Sequence, residues 1–175
     1  RNVVNFQKVE YCLKVLVALS NVQGYPIDLG SPQPNGGARS RRIPMGDLAQ
    51  SFHRNVYGDG PKSDAPDDLS APWLSTSFKL EADPKTVKAR KQALSKLVSE
   101  RNKLIHQELG RFDHNSAEHC RRLSNVLDEQ NTRILSELEQ MKSILAMVKE
   151  LAGALQSWVE SDYFLNHVQG TNNDA

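Results

Sequence analysis

From Cys120 onward, apolar residues recur at Leu123, Leu127, Ile134, Leu138, Met141, Leu145 and Val148, at spacings of three, four or seven. This period matches a helix and lays one apolar face along roughly 35 residues, about 50 Å of helix. Such a face has to be covered by other helices, because an amphipathic helix gains most of its stability from packing. Asn115 suits the N-cap, with Glu118 three positions on as its capping-box partner. Gly153 is expected to kink or end the helix, and Leu155, Trp158, Val159 and Phe164 continue an apolar face.

Two further helices have readable ends or faces. The first runs from about Val3 to Ser20, with Phe6, Val9, Leu13, Leu16 and Val17 on one side. Another begins at Asp83, an N-cap followed by Pro84 at the first helical position, and stops near Gly110. Between them, residues 24–83 hold most of the Gly and Pro, and form a long irregular insertion. A short helix is expected there from Pro44 to Asn55, with Leu48 and Phe52 four apart. Trp73, Leu74 and Phe78 are the residues expected to pin the insertion to the core. Nowhere do alternating β-formers bounded by turns appear. Short connections between the last helices imply antiparallel neighbours. The predicted fold is all-α, an up-and-down helical bundle with a loop-rich insertion between the first helix and the helix starting at Asp83.

With 175 residues, 38% hydrophobic and 25% charged, the chain can bury one sizeable core. A single domain over 1–168 and a flexible tail over 169–175 are expected. Net charge is +1, from 22 basic and 21 acidic residues, so any polyanion would have to be met by local patches. No apolar run is long enough for a membrane span, and the first residues carry no signal-peptide pattern, so the cytoplasm is the expected compartment. Cys12 and Cys120 lie far apart on helical patterns and are expected as free thiols.

One residue breaks the pattern. On the helix from Pro84 to Leu109, the residues Val87, Leu94, Leu97, Val98, Ile105 and Leu109 form a stripe, and Arg101 falls inside it. A guanidinium keeps its proton, so beside a core it requires an anion. Asn102 and His106, four apart, flank the same stripe.

The spacing Arg101-Asn102-x-x-x-His106, near the end of an amphipathic helix and followed by a short link and a long helix, resembles the motif of the HEPN superfamily of all-helical ribonucleases. The resemblance rests on three fixed positions and extends loosely over the helices. It implies an endoribonuclease with Arg101, Asn102 and His106 in the site, paired motifs at a homodimer interface, and a toxin or phage-defence setting. A cognate antitoxin or regulatory protein is the implied partner. In many such toxins a Tyr two residues after the motif His is modified, whereas His106 is followed here by Gln107 and Glu108. Control by tyrosine adenylylation at that position is therefore not expected.

The chemistry suits these residue types independently. RNA can be cut through its own 2′-hydroxyl, which calls for no metal or cofactor. What the site needs is a proton carrier near neutral pH, for which imidazole serves, and a fixed cation for the phosphorane-like transition state, for which guanidinium serves. Asn102 can orient the imidazole or bond a phosphate oxygen. In a straight helix Arg101 and His106 point roughly 140° apart. Either two copies combine their motifs in one cleft, or the helix breaks near Ile105 and swings His106 round.

Lys103 faces away from the stripe, where it either touches the RNA backbone or is solvated. Arg39, Arg41 and Arg42, in a Gly/Pro-rich segment, are further candidates for phosphate contact. Arg111, Arg121 and Arg122 follow the motif as a candidate basic rim. His106, His114, His119 and Cys120 lack the spacing of familiar zinc sites, so no metal is expected.

Overall fold

Helices form where the apolar period repeats every three or four residues, and a local departure from that period lies at the motif. The computed structural model describes residues 1–24, 43–60 and 73–162. In chain order these form α1 (Asn2–Leu19), β1 (Asn21–Gly24), α2 (Met45–Tyr57), β2 (Leu74–Ser77), α3 (Pro84–Lys103), a π turn (Leu104–Glu108) and α4 (Ala117–Val159). The class is all-α. The chain divides into two compact units, Arg1–Met141 and Lys142–Ala175, with the division inside α4.

In the first unit α1 supplies the centre of the core. Phe6, Val9, Leu13 and Leu16 are buried at the expected spacing, and Val17 is half-buried. From α2 come Leu48, Phe52 and Val56, from α3 Leu94 and Leu97, and from α4 Leu123, Ile134, Leu138 and Met141. Each fully buried aliphatic side chain contributes about 1.5–3 kcal/mol. Hydrogen bonds then set the register. Asn2 Nδ2 donates to Leu127 O at 2.7 Å and to Gln130 Oε1 at 2.9 Å, and Asn5 Nδ2 donates to Asn131 Oδ1 at 2.9 Å. At the other end of α1, Asn55 Nδ2 donates to Ser20 Oγ at 2.9 Å. Two ion pairs tie α3 to α4, Arg90 to Glu137 at 3.2 Å and Arg133 to Glu100 at 2.9 Å.

These contacts give directions as well. Rising numbers on α3, from Arg90 to Glu100, meet falling numbers on α4, from Glu137 to Arg133, so the two are antiparallel as their short link predicts. By contrast α1 runs with α4, since Asn2 and Asn5 meet Gln130 and Asn131 in order. It also runs with α2, whose C-terminal end meets Ser20.

The structure departs from the sequence expectation in four places. A two-stranded antiparallel ribbon is present, with Asn21 opposite Ser77 and Gly24 opposite Leu74. It joins the two ends of the insertion right after α1 and shortly before α3, so backbone bonding, and not an apolar stripe, fixes those ends. Leu74 belongs to this ribbon, while Trp73 and Phe78 are half-buried beside it. Second, α4 is capped by Ser116, whose Oγ accepts from the N–H of His119 at 3.2 Å. Asn115 instead closes an Asx turn, its N–H donating to Asp113 Oδ1 at 2.9 Å. Third, α4 continues through Gly153 to Val159; no neighbour crowds that position, so the helix carries the glycine at its ordinary propensity cost. Fourth, Leu104 joins Leu94 and Leu97 in the core, while Leu109 is exposed. The expected helix within the insertion is α2, closed by Gly58 and by Gly60 at φ 55°.

In the second unit, Val148 is buried on α4, while Leu151, Leu155 and Trp158 are exposed. Phe164 and the 169–175 tail lie outside the described residues.

Candidate functional site

Asp83 starts α3 as expected. Its carboxylate accepts from the Lys85 N–H at 2.9 Å and from the Thr86 N–H at 3.0 Å, with Pro84 at the first helical position. From this start the helix carries Leu94 and Leu97 into the core and Arg101 onto the same stripe, one turn further along.

Arg101 is half-buried, and the anion it requires is Glu10 on α1, with Nη2 3.7 Å from Oε2. The other oxygen of Glu10 accepts from Lys14 Nζ at 2.8 Å. Arg101 Nη1 also donates to Asn102 Oδ1 at 3.2 Å. Two cations and one carboxylate leave this cluster with one net positive charge. The guanidinium is therefore held from two sides, and its remaining N–H groups and the surplus charge suit a further anion.

Immediately after Lys103 the helix changes form. Leu109 N–H donates to Leu104 O at 3.1 Å, five residues back, in place of the α-helical four. A π turn carries one extra residue, so groups beyond it are rotated back by about 100° relative to a continued α-helix. His106 lies inside the turn and takes part of that rotation, which narrows the angle between it and Arg101. The helix does not break near Ile105; it widens. The widening also explains the exposure of Leu109, which an uninterrupted period would place on the stripe.

Asn102 and His106 are exposed. Lys103 is exposed as well, and its Nζ lies 3.2 Å from Glu108 Oε1. The link after the π turn folds onto the start of α4, where the rings of Phe112 and His119 meet edge to face at 5.7 Å. Arg111, Arg121 and Arg122 are exposed at this end of the first unit, and among the described residues none of them forms an ion pair. Arg39, Arg41 and Arg42 lie outside the described residues. Cys12 is buried and Cys120 half-buried, and among the described residues neither forms a disulfide. Among the described residues, no three His, Cys, Asp or Glu side chains gather as metal ligands.

Leu94 and Leu97 are covered within the chain, and Arg101 is paired to Glu10. The face open to a partner is that of Asn102, His106 and Leu109. Sequence reasoning missed Glu10 and Lys14. The available signal was the position of Glu10, one residue after buried Val9 and three before buried Leu13, at the edge of the apolar face. Among the described residues no helix is long and apolar enough to cross a membrane. Compared with family models, curated proteins and solved structures, the chain matches none.

Proposed function

We propose that this chain is a metal-independent endoribonuclease of the HEPN type, acting in the cytoplasm as a homodimer in a toxin or phage-defence role. The observation that carries this reading is the pairing of a half-buried, doubly anchored Arg101 with an exposed His106 on the π turn that follows it. His106 takes the proton of the ribose 2′-hydroxyl, whose oxygen attacks the adjacent phosphorus. The 5′-oxygen leaves with a proton from an imidazolium, supplied by the same motif or by the partner's copy. Arg101 stabilises the charge on the equatorial oxygens, and Asn102 steadies the guanidinium. The three arginines after the motif, which form no ion pair among the described residues, favour the approach of a polyanion. A cognate antitoxin or regulator would act by covering the His106 face.

The test is incubation of the purified chain with RNA in EDTA, followed by analysis of the new ends. Fragments ending in 2′,3′-cyclic phosphate support the reading, and absence of cleavage or an absolute metal requirement overturns it.

A second reading has its own observation. Leu151, Leu155 and Trp158, spaced four and three apart on one face of α4, are 55%, 43% and 50% exposed. That face suits a non-catalytic helical interaction or dimerisation module. In that case Leu155→Glu would abolish self-association in a chain that never cuts RNA.

A further inference from the structure

Between α2 and α3, within the first unit, lies a cavity of about 450 Å³, in the size range of small-molecule sites. Its two walls are in known register. At Gly46 an added Cβ would stand 3.6 Å from Val98 Cγ1. At the far end of α2, the N–H of Leu80, on the approach to α3, donates to Val56 O at 2.8 Å. The two helices are therefore antiparallel. Gly46 and Ala49 lie toward Val98 and Leu94, while His53 and Arg54 lie toward Lys91. The cavity has an apolar end and a cationic end.

Among the described residues no carboxylate lines the cavity, and neither Arg54 nor Lys91 forms an ion pair. Arg54 Nε donates to Asn55 Oδ1 at a long 3.4 Å. The His53 ring belongs to the same wall and is half-buried.

We propose that this cavity binds a small amphipathic anion. A carboxylate or phosphate group sits between Arg54 and Lys91, and an apolar body lies along Ala49, Leu94 and Val98. Guanidinium and ammonium donors make charge-assisted hydrogen bonds to either headgroup, and the apolar end contributes area removed from water. The site is independent of the ribonuclease reading, because none of its residues belongs to the Arg101–His106 cluster.

The probes are octanoate and octyl phosphate, with octanamide as the uncharged comparator, each titrated calorimetrically into the full chain. Saturable one-to-one binding of either anion is expected, about tenfold or more tighter than octanamide, and the tighter of the two identifies the headgroup. Arg54→Gln combined with Lys91→Gln should weaken the preferred anion about tenfold while leaving octanamide unchanged. Ser95→Trp, an exposed position in the cavity wall, should block every probe, with the ligand-free melting curve showing that the chain stays folded. Absence of saturable anion binding, equal binding of octanamide, or full affinity in the double variant would overturn the proposal.

Discussion

Arg101 on α3 and Glu10 on α1 face each other across the helix pair, Nη2 3.7 Å from Oε2, with side chains 30% and 22% exposed. The contact answers the stripe cation, but it is long and shared, since Lys14 holds the other oxygen of Glu10. A phosphate arriving at Arg101 would therefore compete with Glu10 for the guanidinium. Glu10→Gln should release that competition and add one net positive charge. RNA affinity at low salt should rise a few-fold, while the melting temperature falls by about 2–4 °C for roughly 1 kcal/mol of lost pairing. Filter binding across a salt series and thermal melting check the two effects. Weaker RNA binding in the variant would mean that Glu10 supports the site and does not compete with its ligand.

The start of α3 has its own pH signature. The Thr86 hydroxyl, followed by the Thr86 and Lys85 amides, lowers the Asp83 carboxyl below its ordinary value of 3.8. A depressed folded-state value means that the stabilisation is present above the unfolded value and is lost as pH falls through the folded one. Asp83→Asn keeps an acceptor at the cap and removes the charge. The variant should melt below the wild type near neutrality, and the two curves should converge as the pH drops beneath 3.8. A gap that stays constant down to strongly acid pH would contradict this assignment.

Much of this arrangement is legible in the amino-acid order, and the rest is hidden for identifiable reasons. Arg101 stands out because a cation interrupts the stripe of Leu94, Leu97, Val98 and Ile105, and the Asp83–Pro84 start declares itself by chemistry alone. Leu48 and Phe52 mark α2 for the same reason of period. The strands do not declare themselves: Asn21–Gly24 and Leu74–Ser77 are four residues each, too short to show alternation, and they pair across about fifty positions. The π turn is equally silent, since Leu104 to Glu108 reads as ordinary helix until the Leu109 amide chooses the carbonyl five residues back. Glu10 is distant in sequence from Arg101, and its partnership exists only once α1 and α3 pack. At the next helix start, Ser116 and Asn115 are both good caps, and the Asx turn of Asp113 decides between them.

The exposed face of Asn102, His106 and Leu109 makes a composite site testable by mixing. If each chain supplies essential groups to one shared cleft, Arg101→Ala and His106→Ala chains are each inactive alone. Mixed after subunit exchange, they should regain a fraction of wild-type cleavage, because one heterodimer cleft retains one intact copy of each group. Light scattering at micromolar concentration should report a dimer. A monomer under those conditions, or no recovery in the mixture, would assign the whole site to a single chain.

The most direct measurement is the single-turnover rate of RNA cleavage in EDTA for the wild type beside His106→Ala and Arg101→Ala. His106 is exposed, so its truncation leaves the core intact, and circular dichroism should show unchanged helicity. Removing the proton carrier or the phosphate-facing cation should each slow cleavage by about 10²-fold or more. Wild-type rates in either variant, in chains that remain folded, would contradict the assignment of Arg101 and His106 as the catalytic pair.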